Sequence, residues 1–327
     1  MRLGFLVRPL RDLSLKQLVE WAAKNGFEAL EIDARPGNKH VDVTSLDGER
    51  AREISRLLDQ HNITISSLGY YVNNLLPDDQ KRKEYHQHIK LMIDACNLLD
   101  VGVVGTFVGS IPGEGIERNI EAVGEHFAPL VEYANDNNVK IAVENCPMVG
   151  GIGEYRTPCA PGNIAYCPEN WEKVFEKVGL DNLGLNLDPS HLCWQEIDYV
   201  EVARQYGDRV YHVHAKDVDF VSSRKFRTGI LHSESGLGSS TGTWRFRIPG
   251  WGVIDWPAFI SALAERGYDY VISVEHEDPI FAGERTEEGL LKAMRYLKPL
   301  MIEQRGAYGE FGWFGTTLKP NGEYRQG

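Results

Sequence analysis

The chain has 327 residues, which suits a barrel of eight strands and eight helices, an architecture that needs about 250 residues before insertions. Its 42% hydrophobic and 25% charged residues are ordinary soluble values, and no apolar run approaches the roughly 20 residues that cross a bilayer, which argues against membrane insertion. With 47 Asp and Glu against 35 Lys and Arg, the net charge of −12 argues against a nucleic-acid partner, whose phosphates must be met by a basic surface.

The opening MRLGFLVRPLRD reads as a first strand rather than a secretory leader, since charge returns at Arg8 and Arg11 before a leader's apolar core can form. Short β-rich runs then alternate with longer amphipathic segments. The strands in chain order are LGFLV near residue 5, EALEID (28–33), ITISSLGYY (63–71), VGVVGTF (101–107), VKIAVEN (139–145), LGLNLD (183–188), RVYHVHAKD (209–217) and YVISVEH (270–276). Between them lie helical segments such as LSLKQLVEWAAKNG, GERAREISRLLDQHN and IERNIEAVGEHFAPLVEYANDNN, several of which end in the Gly or Asn that stops a helix.

Strict βα alternation implies parallel strands with helical crossovers, and eight units imply closure into a (β/α)8 TIM barrel of the α/β class. No GxGxxG or P-loop sequence follows a strand, which weakens the open-sheet alternative. No Pro/Gly/Ser-rich linker divides the chain, so residues 1–327 read as one domain. Three segments exceed a minimal barrel: the loops 146–168 and 218–254, and the tail 305–327. The two loops follow strands five and seven, on the face where barrel enzymes keep their sites.

Five cysteines (Cys96, Cys146, Cys159, Cys167, Cys193) are an odd number in a chain too large to need staples. They read as reduced thiols in a cytoplasmic protein. Three of them fall between residues 146 and 167 but lack the CxxC spacing of a structural zinc site.

Alternation along the late strands separates residues facing the helices from residues facing the barrel axis. Ile141 and Val143 share the outward set of strand five and leave Glu144 inward; Leu185 and Leu187 leave Asn186 and Asp188 inward in strand six. Strand seven sends His212, His214 and Lys216 inward, and strand eight Ser273, Glu275 and Glu277. Any one such residue has an ordinary structural explanation. Three carboxylates at neighbouring inward strand ends repel one another unless a cation neutralises them. Two Glu, one Asp and one His make an O/N set suited to Mn2+, Mg2+, Co2+ or Fe2+ rather than to thiolate-rich structural zinc. His214 lies nearer the strand end than His212, which sits one inward layer deeper and is expected to hydrogen-bond within the barrel. His191, three residues past Asp188, can reach the metal or a substrate oxygen, with a loop or capping role as the alternative.

VEN ending at Asn145, LDPSH (187–191), HVHAKD (212–217), IPGWGVIDW (248–256) and SVEHEDP (273–279), in this order and spacing, resemble the sugar phosphate isomerase/epimerase superfamily. These are the xylose isomerase-like barrels that include tagatose 3-epimerase and inosose dehydratase. The resemblance implies that Glu144, Asp188, His214 and Glu275 bind one divalent metal, commonly Mn2+, with Zn2+ among the alternatives. It also implies that Glu144 and Glu275 exchange protons with a substrate carbon and that His191 binds a sugar oxygen. The substrate implied is a small carbohydrate, and the reaction an isomerisation or epimerisation that begins with proton removal next to a carbonyl. Homo-oligomers are common in the family, and an accessory subunit is a further expectation.

The loop 218–254 departs from compact members and carries Arg224, Lys225, Arg227, Arg245 and Arg247. Arg247, beside IPGWG, is the best candidate for a substrate contact. Trp251, like Trp194 and Trp244, is a candidate to stack on a sugar or aglycone face, with surface packing as the alternative. Asp217 and Asp219 share a parity and would hold a second ion, but Asp217 falls in the outward register. The nearest rival reading is a lyase of the same architecture, either an inosose-type dehydratase or an enzyme that cleaves a 3-keto-glycoside by β-elimination. Abasic-site endonucleases share the barrel but need a richer metal cluster and a basic groove. A non-catalytic binding barrel would lack a metal-site residue.

Overall fold

A computed structural model of the chain describes residues 1–149, 161–230 and 242–302. The tail 305–327, Cys159 and parts of both long loops lie outside the described residues. The strands are β1 (Arg2–Leu6), β2 (Ala29–Asp33), β3 (Thr64–Gly69), β4 (Val103–Thr106), β5 (Lys140–Glu144), β6 (Leu183–Leu187), β7 (Val210–Ala215), β8 (Asp217–Phe220), β9 (Trp244–Arg247) and β10 (Val271–Val274). Eight of them close a parallel barrel in the order β1-β10-β7-β6-β5-β4-β3-β2. The expected (β/α)8 barrel is therefore the observed architecture, with β10 as its eighth strand. Among the described residues no helix is long and apolar enough to cross a membrane.

Local signals set the elements. Ser14 accepts from Gln17 N while the Gln17 side chain reaches back to Ser14 N, a reciprocal cap that starts the helix Leu15–Lys24. Asp47 caps the helix Gly48–His61, which stops where Asn62 turns left-handed. The single helix expected over IERNIEAVGEHFAPLVEYANDNN is two, Ile116–Ala122 and Ala128–Asp136, joined by a π-helical stretch Val123–Phe127. The physical reason is Pro129, which has no N–H for the carbonyl four residues earlier and so breaks the α-helical ladder.

Outward-facing Leu30, Ile32, Val104, Ile141, Leu185, Val213 and Ile272 bury completely or nearly so under the helices, where Trp171 and Trp256 anchor the outer layer. The barrel interior toward the strands' C-terminal ends is polar instead: Glu31, Ser66, Asn186, His212, His214, Lys216 and Ser273 are all buried there. One interior position admits no side chain. A Cβ on Gly184 of β6 would lie 2.2 Å from the carbonyl oxygen of Arg209, backbone that cannot swing aside. Gly184→Ala is expected to lower unfolding free energy by about 1–3 kcal/mol, read from urea midpoints at unchanged slope.

The expected strand 209–217 breaks at Lys216. Beyond it β8 pairs antiparallel with β9 as a hairpin, so part of the long loop 218–254 forms a small sheet over the barrel mouth. Two buried aspartates tie this sheet and the IPGWGVIDW turn down. Asp217 accepts from the backbone N–H groups of Val218, Gly250 and Ile254 and from the Trp256 indole. Asp278 accepts from Arg247 and from the Ile248 N–H.

Candidate metal centre

Glu144 ends β5, Asp188 follows β6, His214 lies near the end of β7 and Glu275 follows β10. These four side chains offer ligand atoms that all lie within 4.8 Å of one another, every one of them buried. Asp188 is pinned by a second duty. Its Oδ1 accepts from Ser190 N at 2.8 Å, capping the short helix Pro189–Trp194 that follows β6 directly. Its Oδ2 is buried with no hydrogen-bond partner, and so is His214 Nδ1. That Nδ1 lies 3.1 Å from Glu275 Oε2 and 3.5 Å from Glu144 Oε1 without hydrogen-bond alignment. Orphaned acceptors that converge among carboxylates are what a divalent cation satisfies, so the donor set fits one.

His214 is aimed from behind. Glu31 of β2 is fully buried and accepts from His214 Nε2 at 2.9 Å, from the Tyr71 hydroxyl at 2.6 Å and from Ser273 Oγ at 2.9 Å. Burial alone would raise the Glu31 pKa, but the His214 and His212 rings outweigh it and hold the group at about 2. An ionised Glu31 that accepts the Nε2–H hydrogen bond turns Nδ1 toward the carboxylate cluster, the usual arrangement behind a metal-bound histidine; burial works against the ring's charge, but Glu31 and Glu275 outweigh it and hold the His214 pKa well above its ordinary value until an ion takes the place of the Nδ1 proton. Gly69 and Gly105 make room for Tyr71, since a Cβ on either would come within 2.8 Å of its ring or hydroxyl. His212, one layer down, pairs with Asn186 Oδ1 and Ser66 Oγ at 3.0 Å each, and burial lowers its pKa to about 4, which keeps it neutral.

Lys216 brings a cation into the cluster. Its Nζ donates to Glu275 Oε2 at 2.6 Å, stands 3.2 Å from Asp188 Oδ2 and lies over the Phe246 ring. Burial opposes its charge, yet Glu275, Glu277 and Asp188 together keep its pKa well above the ordinary lysine value. Glu275 is correspondingly held well below the carboxylate range, against its own burial, chiefly by Lys216 and His214.

Glu144 and Glu275 of the cluster line a cavity of about 690 Å3, within the ~300–1,000 Å3 of ordinary small-molecule sites, with Asp188 and His214 packed behind them. Trp194 and Trp244 stack at 4.7 Å and, with Phe246, make an apolar wall, while Tyr70, Arg8 and Arg35 also line the cavity. His191 belongs to the lining, 2% exposed, with Nε2 3.4 Å from both Glu144 Oε1 and Asp188 Oδ2. Burial works against its charged form, but Cys146 and Asp188 outweigh that and push its pKa up to about 10.

Two expected substrate contacts lie off the cavity lining. Arg247 does not line the cavity, because Asp278 and Asp219 hold its guanidinium at 2.9 Å each and fasten the hairpin with it. Trp251 is 47% exposed on the outer side, packed edge-on against Phe281, and does not line the cavity either. A second ion on Asp217 and Asp219 is also ruled out, since Asp217 is spent on loop donors and Asp219 on Arg245 and Arg247. Glu31 and Tyr71 escaped the sequence reading, and Cys146 entered it only as a reduced thiol. Glu31 had a signal, because Leu30 and Ile32 on the outward parity of β2 leave it inward.

A model of the xylose isomerase-like TIM barrel family matches residues 19–300. The uncharacterized protein YfiH of Bacillus subtilis strain 168 is 26% identical over 315 residues, covering 89% of this chain and 98% of that protein. An inosose dehydratase of Clostridium perfringens is 28% identical over 297 residues, covering 88% of this chain and 90% of its own. The crystal structure of the IOLI protein with a bound zinc atom superimposes with a TM-score of 0.67 at 22% identity, covering 92% of this chain and 98% of that one, a likeness of fold. Family match and barrel topology agree, and the chain belongs to the xylose isomerase-like TIM barrel family.

Proposed function

We propose that the chain is a divalent-metal-dependent enzyme that moves protons at the carbon next to a carbonyl of a keto-sugar or related sugar derivative, giving isomerisation or epimerisation. The observation that carries this reading is the convergence of Glu144, Asp188, His214 and Glu275 on one point, with Glu144 and Glu275 also lining the cavity. We assign Mn2+ to that point, because three carboxylates and one imidazole favour a hard, flexible ion over a thiolate-loving one. When bound, the ion supplies Lewis acidity that stabilises negative charge developing on the carbonyl oxygen.

The chain's own groups do the rest. Glu144 and Glu275 come from strands separated by β6 and β7, so they approach a substrate from different sides. One removes a proton and the other returns one, which inverts a carbon; one acting alone isomerises. His191 Nε2 is placed to donate to a substrate oxygen, and the Trp194, Trp244 and Phe246 wall offers an apolar face for a sugar ring. The test is metal analysis of purified protein together with deuterium uptake from solvent into keto-sugars and 3-keto-glycosides, followed by NMR. Stoichiometric metal with exchange next to the carbonyl is expected. No metal, and no exchange after metal is added, would sink the reading.

A second reading, a lyase, is favoured by Lys216. A buried ammonium 2.6 Å from Glu275 is a proton donor beside a base, which suits elimination, where the departing oxygen must be protonated. Under this reading Lys216→Met keeps solvent exchange next to the carbonyl but loses product by about 100-fold or more. Under the isomerase reading, exchange and turnover fall together.

A further inference from the structure

Cys146 lies two residues beyond Glu144 and lines the same cavity, yet it is none of the four groups that converge on the metal point. Its neighbours are Glu144 and His191. One ligand atom from each of the three, the Cys146 sulfur, a Glu144 oxygen and a His191 ring nitrogen, lie within 4.8 Å of one another. The imidazole is 2% exposed, and its Nε2, 3.4 Å from Glu144 Oε1 and Asp188 Oδ2, makes no aligned hydrogen bond, so a buried polar atom without one stands beside a free thiol.

We propose that Glu144, Cys146 and His191 form a second, softer metal position next to the first, one that takes Zn2+, Co2+ or Cd2+ and shares Glu144 with the Mn2+-type site. The donor chemistry separates the two. Carboxylate, carboxylate, carboxylate and imidazole suit hard ions, whereas thiolate, imidazole and one carboxylate suit borderline-soft ones and leave a fourth position open to water. An arriving ion displaces two protons to solvent, one from the Cys146 thiol and one from the His191 imidazolium, and takes the sulfur as thiolate and the ring through Nε2.

A consequence rests on the proposed function. Glu144 there is a proton-transfer group whose Oε1 faces both His191 and His214, and an ion that draws on it and on His191 removes both from the substrate. Soft ions beyond one equivalent therefore inhibit, while the harder ion supports turnover. The spacing signal that failed for a structural zinc site in 146–168 does not apply, since His191 reaches Cys146 from another strand's end.

The test is a Co2+ titration of full-length protein stripped with chelator, followed by absorption spectroscopy and equilibrium dialysis, in wild type, Cys146→Ser and Glu275→Gln. Wild type is expected to take up a second equivalent accompanied by a near-ultraviolet thiolate-to-cobalt charge-transfer band. Cys146→Ser is expected to lose that band and that equivalent while it keeps the first, which also shows that the variant is folded. Glu275→Gln is expected to weaken the first ion and keep the band. A wild type that binds one Co2+ with no thiolate band overturns the second position and leaves the proposed function standing. A band that persists in Cys146→Ser overturns it as well. A wild type that binds one Co2+ with the thiolate band, and none in Cys146→Ser, upholds the soft position and defeats the metal assignment of the proposed function instead.

Discussion

Glu275→Gln is expected to reduce turnover by about 1,000-fold or more, with loss of solvent exchange into substrate, because one substitution removes two functions. General acid–base participation alone contributes about 10²–10⁴-fold, and the missing charge also weakens the ion that stabilises the developing negative charge. The substitution has a structural cost too. Lys216, buried and 2.6 Å from Glu275, loses its nearest counter-charge and is left with Asp188 and Glu277 at 3.2 and 3.4 Å. Breaking a buried pair from one side costs about 3–5 kcal/mol where nothing replaces the partner, and here two carboxylates remain, so the expected destabilisation is smaller. Metal content, exchange rate and urea midpoint measured on the same preparation separate these effects. Retained metal with lost exchange assigns Glu275 to proton transfer; lost metal with lost exchange assigns it chiefly to holding the ion. Retained exchange at wild-type rate sinks both roles.

Strand alternation carried most of this site. The same parity rule that turned Ile141, Leu185, Val213 and Ile272 outward placed Glu144, Asn186, His214 and Ser273 on the interior, where the barrel has them. It worked because a strand buried on both faces has only two directions to offer. It stopped at the strand ends. Lys216 was legible as inward, but not as the residue at which the chain leaves the barrel and folds back as a hairpin, since antiparallel pairing of Asp217–Phe220 with Trp244–Arg247 joins segments far apart in sequence. Arg247 and Trp251 lie off the cavity for that reason. Their chemistry suited a substrate, but the hairpin's own anchors, Asp219 and Asp278, claim Arg247, and Phe281 receives Trp251. Glu31 lies in the middle of β2, away from the strand ends where the other carboxylates gather, and no motif marks it.

That carboxylate supports the second large expectation. Glu31→Gln keeps shape and volume but removes the charge facing His214 and puts an amide donor against the Tyr71 hydroxyl, Ser273 or the His214 Nε2 proton. Metal affinity is expected to fall by about 10–100-fold, the usual cost of losing a partner that orients a ligand, or about 1.4–2.8 kcal/mol. A pH signature accompanies it in metal-free protein. The Glu31 pKa is about 2 in the fold against an ordinary 4.5, so the unfolded chain binds the extra proton between those values and stability drains away as pH falls through the window. Wild type should therefore exceed Glu31→Gln in stability above pH 4.5, and the gap should close toward pH 2. Calorimetric metal titration at neutral pH and urea unfolding down the acid range provide the two readings. Metal affinity equal to wild type would mean that packing against Tyr71 and Asn186 aims the His214 ring without help from the charge. A weaker ion together with a closing stability gap would mean that Glu31 fixes which nitrogen of His214 is bare, and so which face of the barrel interior offers it to a metal.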